Sequence, residues 1–471
     1  MDLMVYNSLT RKKELFQPVL PGKVSIYTCG LTVQDYCHLG HARMDIVWDT
    51  IKNILRHMGY QVYHVQNFTD VNEKIAAKAI SEGRDPLELA QFFIDAYFTD
   101  MKGLEVAGAD LYCRVTENMD AIIEMIQVLL DKGHAYVKNG NVYFRVESDP
   151  TYGALSGRKI EEMQAGARLE VEASKENPGD FALWTVAQPG ELTWESPWGP
   201  GTPGWHIECS AMSCKYLGNP YDMHGGGIDI IFPHHENELA QSRCACGQEY
   251  AHYWMHHGML TLPGGEKMSK SLHNFFRVKD LLEQIPAYVL RFFLLSAHYR
   301  SPLAFSPELV EQSKVALDRL TNTVNRLRSW QSAQSEGDAV LLQQLSEADK
   351  AFEAALYDDF NTAGAIAVLF ELNKQVNQAM ADNQISKQTA EAVLAAYLAK
   401  AELLGFASAF TANAEDEDSK LNKEVEILIE QRQTARKQKD WATADLIRVK
   451  LDAMGILLRD TPQGVQWQKK S

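Results

Sequence analysis

Apolar positions along the first part of the chain switch between two periods. Val24-Ser25-Ile26-Tyr27-Thr28 reads as a short buried strand, opened by Pro21-Gly22. From Ala42 the spacing turns helical. Ile46, Val47, Ile51, Ile54, Leu55 and Met58 fall on one stripe, and Gly59 stands where that helix should stop. Tyr63-His64-Val65 repeats the strand signal and runs into Asn67-Phe68-Thr69-Asp70. Such alternation predicts an α/β fold with a parallel sheet over residues 1–115. Residues 116–203 break the pattern. They are irregular and rich in Gly, Pro and Trp, with a hairpin-like stretch from Tyr136 to Phe144 around Asn139-Gly140. This segment reads as an insertion between two halves of the sheet, the second half being 204–305. Over 306–404 the spacing of Leu317, Leu320, Val324 and Leu327 predicts a helical bundle. Residues 405–418 contain Glu415-Asp416-Glu417-Asp418 and read as an acidic, solvated linker. Residues 419–471 form a small C-terminal α+β domain.

A length of 471 residues agrees with several domains, and 45 % hydrophobic residues suffice for sizeable cores. No run of about 18 uncharged apolar residues occurs, so no membrane span is expected. Met1-Asp2-Leu3-Met4 does not begin a secretory signal. Seven cysteines without a disulfide-like framework favour a reducing, cytoplasmic location. Cys244 and Cys246 have C-x-C spacing but no evident partners, and are read as free thiols, as are Cys37, Cys113 and Cys214. The net charge of −16 argues against indiscriminate nucleic-acid binding. Between Ser419 and Ser471 the balance reverses, with eleven Lys or Arg against seven Asp or Glu. A local basic tail keeps RNA open as a partner.

Two strings carry candidate chemistry. His38-Leu39-Gly40-His41 falls where the first strand hands over to its helix. There a parallel sheet opens its ligand crevice, and free backbone amides favour phosphate. Gly40 lets the backbone approach a ligand, and His38 and His41, three apart, can face the same way. Lys267-Met268-Ser269-Lys270-Ser271 follows a Pro263-Gly264-Gly265 break, as a loop able to lie over a triphosphate. Each has a plainer reading alone, as capping histidines and as solvated lysines. A third group is Cys29, Cys209, His234 and Glu238. His234 and Glu238 share a helix face at four-residue spacing. The set is a plausible zinc site, or else a core cysteine pair beside a surface His–Glu pair.

The ordered strings together resemble one family. Tyr27-Thr28-Cys29-Gly30 with Thr32-Val33, the His-Leu-Gly-His string and Pro203-Gly204-Trp205-His206-Ile207-Glu208-Cys209-Ser210 match it. So do His224-Gly225-Gly226-Gly227-Ile228-Asp229, Phe232-Pro233-His234-His235-Glu236-Asn237-Glu238, the lysine string, and Ala444-Asp445-Leu446-Ile447-Arg448 near the end. Nearly the whole chain resembles the cysteinyl-tRNA synthetases, a class I aminoacyl-tRNA synthetase family. Leu31, Gln34, Leu39 and His273 depart from its usual residues.

The resemblance implies a Rossmann-like catalytic domain with a connective insertion, then a helical bundle and an anticodon-binding domain. It implies a monomer that joins L-cysteine to tRNA(Cys) through cysteinyl-adenylate, using ATP with Mg2+. His38, His41, Lys267 and Lys270 would be catalytic. ATP would meet His38, Gly40, His41, Gly226, Asp229 and Lys270. Cysteine would be held by Cys29, Thr32, Trp205 and His206, with one Zn2+ on Cys29, Cys209, His234 and Glu238. Thiol and hydroxyl differ too little for a simple pocket to separate, whereas zinc prefers thiolate. Trp467, Arg432 and Arg436 are candidates for base contacts. A related alternative is an ATP-dependent cysteine ligase acting on a small amino-sugar acceptor. Ligases of that kind lack the C-terminal domain.

Overall fold

The structure, a computed structural model, describes residues 2–158, 175–187, 192–247, 250–265, 276–332, 338–411, 425–435, 440–454, 456–461 and 464–469. The chain divides into a large unit, Met1–Ala407, and a small one, Ser408–Ser471.

Five parallel strands form the centre of the large unit. They are β1 (Lys23–Thr32), β2 (Gln61–Thr69), β3 (Leu111–Arg114), β4 (Tyr221–Gly227) and β5 (Ala251–His257). Their spatial order is β5-β4-β1-β2-β3, every neighbour parallel. The chain winds outward from β1 to β3, then returns to lie on the other side of β1. The reversal falls between β1 and β4, so the crevice beyond their C-terminal ends is the expected ligand site of an open α/β sheet.

The first strand is longer than its apolar pattern predicts and ends at Thr32, in register with Thr69. Helix α1 (Leu39–His57) begins three residues before Ala42. Its predicted stripe is buried through Ile46, Val47, Ile51, Ile54 and Leu55, and Gly59 follows its C-cap with φ of 91°. The helix lies close on the sheet. A Cβ on Gly225 would stand 1.9 Å from the Trp48 ring, so only glycine fits beneath that indole.

The insertion between β3 and β4 is more regular than its composition suggests. Asn139 and Gly140, with φ of 56° and 81°, close the predicted hairpin, and Lys138 pairs with Asn141. Two further strands, Phe181–Val186 and Gly201–Pro203, extend it to four antiparallel strands. Ahead of it stands the helix Met119–Asp131, with Ile122, Met125, Ile126 and Leu129 buried.

After the sheet come four long helices, Pro307–Arg328, Ala339–Tyr357, Thr362–Ala381 and Lys387–Leu404. Leu317, Leu320, Val324 and Leu327 are all buried. The small unit contains the helix Trp441–Ala453 and the hairpin of Ile456–Thr461 with Gly464–Lys469. Val425, Leu428, Leu451 and Ile456 make its core, and Trp467 packs against it. No described helix is long and apolar enough to cross a membrane.

Candidate active site

The N-terminus of α1 is built by its own histidines. His38 is the N-cap, and its Nδ1 accepts the His41 amide at 3.3 Å. His41 Nδ1 accepts the His38 amide at 3.4 Å, closing a reciprocal cap. The rings stack with centroids 3.5 Å apart. A Cβ on Gly40 would press to 2.8 Å from His38, so this glycine makes room for the stacked ring. An Nδ1 that accepts a hydrogen bond carries no proton. Each neutral ring therefore carries its proton on Nε2, as a donor suited to anionic oxygen.

A cavity of about 370 Å³ opens at this point, over the ends of β1 and β4. Cys29, Gly30, His38, His41, Asp229 and His257 are among its lining residues. Thr32 lies farther along β1 and is not among them. Gly226 is not among them either, and makes room instead for the buried His235 ring, which a Cβ there would approach to 2.5 Å.

Cys29, which lines this cavity, also belongs to a cluster of four buried donors. Cys29 Sγ is 3.5 Å from Cys209 Sγ and 3.3 Å from Glu238 Oε1, and His234 Nε2 is 3.1 Å from that same oxygen. Around a tetrahedral metal with bonds of about 2.0–2.3 Å, neighbouring donors lie about 3.3–3.8 Å apart. The four atoms approximate such a cage. Cys29 comes from β1, Cys209 from helix α2 (Trp205–Leu217), and Glu238 from α3 (Glu236–Cys246), with His234 just before it. Burial pushes Glu238 up to about 8 and raises both thiols well above their usual range. Burial thus favours their neutral forms, and a divalent metal among them would hold them deprotonated as ligands. The set fits a metal.

The surroundings orient the donors. His234 Nδ1 is 2.9 Å from His206 Nδ1, and Trp205 stacks on His234 with centroids 4.2 Å apart. Tyr250 donates to Glu238 Oε2 at 3.2 Å. A second set, Cys29, His224, His235 and Glu238, also converges. It shares two donors with the first, so a single ion can use only one complete set. The first has two thiols and the shorter separations.

Lys267 and Lys270 lie outside the described residues, but both flanks of their segment are fixed beside the cavity. Leu260, on the incoming strand Leu260–Thr261, lines it. On the outgoing side Leu39 donates its amide to the Phe276 carbonyl at 3.0 Å, and Val278 donates to Cys37 at 3.0 Å.

Sequence reasoning overlooked several residues. Arg43 is fully buried in α1 and donates to the carbonyls of Gly258 at 2.6 Å and Ser301 at 2.6 Å, fixing the cavity wall. A charged residue on an otherwise apolar helix stripe was the available signal. Glu236 is buried and has no salt bridge among the described residues. It accepts the amides of Gly153 at 3.0 Å and Ser156 at 2.6 Å, clamping the insertion onto the start of α3. His224 and His235, in the second donor set, were passed over because their strings were read as nucleotide-side and motif residues.

Comparisons with known proteins agree with one another. Residues 15–315 match the model of the class I (C) tRNA synthetase catalytic domain, 351–408 a DALR domain, and 418–467 the cysteinyl-tRNA ligase anticodon binding domain. A cysteine–tRNA ligase of Geobacillus sp. is 49 % identical over 99 % of both chains. One from Pelotomaculum thermopropionicum is 48 % identical over 99 % of both, and one from Bacillus licheniformis 47 % identical over 100 % of this chain and 99 % of its own. Among solved structures, Mycobacterium tuberculosis methionyl-tRNA synthetase with methionyl-adenylate superposes with a TM-score of 0.60 at 17 % identity, covering 82 % of this chain and 90 % of its own. That likeness is one of fold. With nearly half of all residues shared along the full length, the chain belongs to the cysteinyl-tRNA synthetases, a family of class I aminoacyl-tRNA synthetases.

Proposed function

We propose that this protein activates L-cysteine with ATP and Mg2+ to cysteinyl-adenylate and transfers it to the 3′ end of tRNA(Cys). The observation that carries the reading is one cavity lined both by Cys29, a member of the donor set, and by the stacked histidines. The substrate thiol is received at Cys29, Cys209, His234 and Glu238, with Trp205 and His206 around the amino acid and Thr32 at its edge. The four donor residues would hold a zinc ion, which when bound would supply a preference for thiolate over hydroxyl. The cysteine carboxylate attacks the α-phosphorus of ATP, and pyrophosphate leaves. His38 and His41 donate from Nε2 to phosphate oxygens, and Lys267 and Lys270 supply positive charge. Gly40 and Asp229 line the cavity that takes the nucleotide, with Gly226 one residue behind the lining Gly227. Catalysis is positioning and electrostatic stabilisation, with no protein nucleophile. The terminal ribose hydroxyl of the tRNA then attacks the adenylate carbonyl.

The C-terminal match to an anticodon-binding model favours tRNA over a small amino-sugar acceptor. Residues 1–115 and 204–305 act as the catalytic halves, 116–203 as the connective insertion, 306–404 as the bundle, 405–418 as linker and 419–471 as anticodon reader. The protein works as a cytoplasmic monomer.

The test is charging of total tRNA with labelled cysteine. Label on tRNA(Cys) is expected, and label on a small acceptor would overturn the reading. The metal has its own test. Elemental analysis should find one zinc per chain, and Cys209→Ser should lose it together with cysteine affinity. Full zinc occupancy in that variant would remove Cys209 from the set.

A further inference from the structure

Cys214 stands in the last turn of α2, and Cys246 is the last residue of α3. The two helices run side by side. Ser210 Oγ on the first is 2.7 Å from Gln241 Oε1 on the second. About one turn onward Cys214 and Cys246 close the two helices: the Gly218 amide donates to the Cys214 carbonyl at 2.9 Å, and the adjacent Asn219 reaches Cys246 Sγ at 2.9 Å. The C-x-C neighbour Cys244 is buried, as are Cys29, Cys37, Cys113 and Cys209, whereas Cys214 and Cys246 are both partly exposed.

The two thiols see different surroundings. Asn219 Nδ2 donates to Cys246 Sγ at 2.9 Å. Lys132, whose Nζ is 2.5 Å from the Ala245 carbonyl, adds positive charge on the same side. Glu124 faces Cys214 instead. A donor and a cation favour thiolate at Cys246, and a carboxylate keeps the proton on Cys214. The neighbouring Cys214 thiol, helped by Asn219 and Lys132, lowers the Cys246 thiol against the opposing effect of burial. The Cys246 thiol, and then burial, raises Cys214.

We propose that Cys214 and Cys246 form a thiol modification site that takes low-molecular-weight disulfides, with Cys246 as the attacking and Cys214 as the resolving sulfur. The Cys246 thiolate attacks one sulfur of the small disulfide. Its S–S bond breaks, one small thiolate leaves and takes a proton from water, and a mixed disulfide remains on Cys246. Cys214 then gives its proton to solvent and attacks the Cys246 sulfur. The second small thiol leaves, and a Cys214–Cys246 disulfide forms. One small disulfide is thereby reduced to two thiols while two protein thiols are oxidised. Cystine is one such reagent, and its reduction would yield cysteine beside an enzyme that consumes it. The site itself does not depend on cysteine being the substrate.

The full-length protein should be incubated with cystine and, separately, with oxidised glutathione, then alkylated and mapped as unreduced peptides by mass spectrometry. A Cys214–Cys246 cross-link is expected in at least one arm, and the arms identify the better reagent. Cys214→Ser should stop at a mixed disulfide on Cys246, and Cys246→Ser should give neither product. Absence of the cross-link from both arms would overturn the proposal. So would alkylation of Cys214 in the wild-type protein as fast as Cys246, a measurement that needs no variant to fold.

Discussion

In the proposed mechanism His38 and His41 each serve structure and chemistry together. Capping α1 commits each Nδ1 to a backbone amide, and that commitment presents Nε2–H as the donor. In the same proposed mechanism their roles divide from that of Lys270, whose charge would act when phosphate charge redistributes. Lys270→Ala should therefore slow adenylate formation by about 100- to 1000-fold while leaving cysteine affinity nearly intact. Single-turnover pyrophosphate exchange reads the first quantity and cysteine titration the second. An unchanged rate constant would take Lys270 out of the mechanism. At this scale the sequence was informative because chemistry-bearing residues stand in short strings: Cys29, His38, His41, Cys209, His234 and Glu238 are named by local pattern and brought together by the fold. Glu236 was not readable that way. Its partners are backbone amides of the insertion, some 80 positions away, and backbone amides leave no trace in side-chain identity.

Elements hold these residues in place by buried polar anchors. Glu236 ties the insertion to the start of α3, between two proposed metal ligands. Glu236→Gln would turn an N–H toward amide donors, so it should destabilise the protein by about 1–3 kcal/mol. Thermal unfolding should register the loss, and an unshifted midpoint would mean the clamp carries no energy. Asp45, buried in α1, accepts from Tyr97 at 3.0 Å and Gln66 at 3.3 Å on the same oxygen. Burial outweighs these donors and raises its carboxyl from 3.8 to about 7. The unfolded chain thus releases this proton at lower pH than the folded one. Stability from this group is greatest at acidic pH and falls as pH rises from about 4 to 7. Asp45→Asn keeps an oxygen for both donors and removes the charge. Its urea midpoint should exceed wild type at pH 8 and approach it at pH 5. A gap that widens toward pH 5 would contradict the assignment. The helix stripe of α1 was legible because its period is strong, but a buried carboxyl within it looks in sequence like any surface aspartate.

For the whole molecule, the order of strand and helix signals gave the parallel sheet, yet not the return of β4 to the side of β1, which depends on contacts across nearly 200 residues. The insertion was read as irregular because its Gly, Pro and Trp content masked the period of the helix Met119–Asp131. Trp467, a candidate base contact, packs against the small core of its own unit, while Arg436 lies outside the described residues. The division of labour between the units is testable by removing the end of the chain. The sequence alone suggests cutting after Leu404, but Gly405 caps that helix in the left-handed conformation and Phe406 packs edge-on to Phe292 at 5.4 Å. A cut after Thr411 keeps both. The shortened protein retains the stacked histidines, both flanks of the lysine segment and all four proposed metal donors. It should make cysteinyl-adenylate at close to the full-length rate. It loses the basic tail, whose cations would release counterions on meeting phosphate. Charging of tRNA(Cys) should weaken mainly through KM, and the salt dependence of what remains should be shallower. Equal charging by the two proteins at moderate salt, with equal salt slopes, would show that the tail does not hold tRNA.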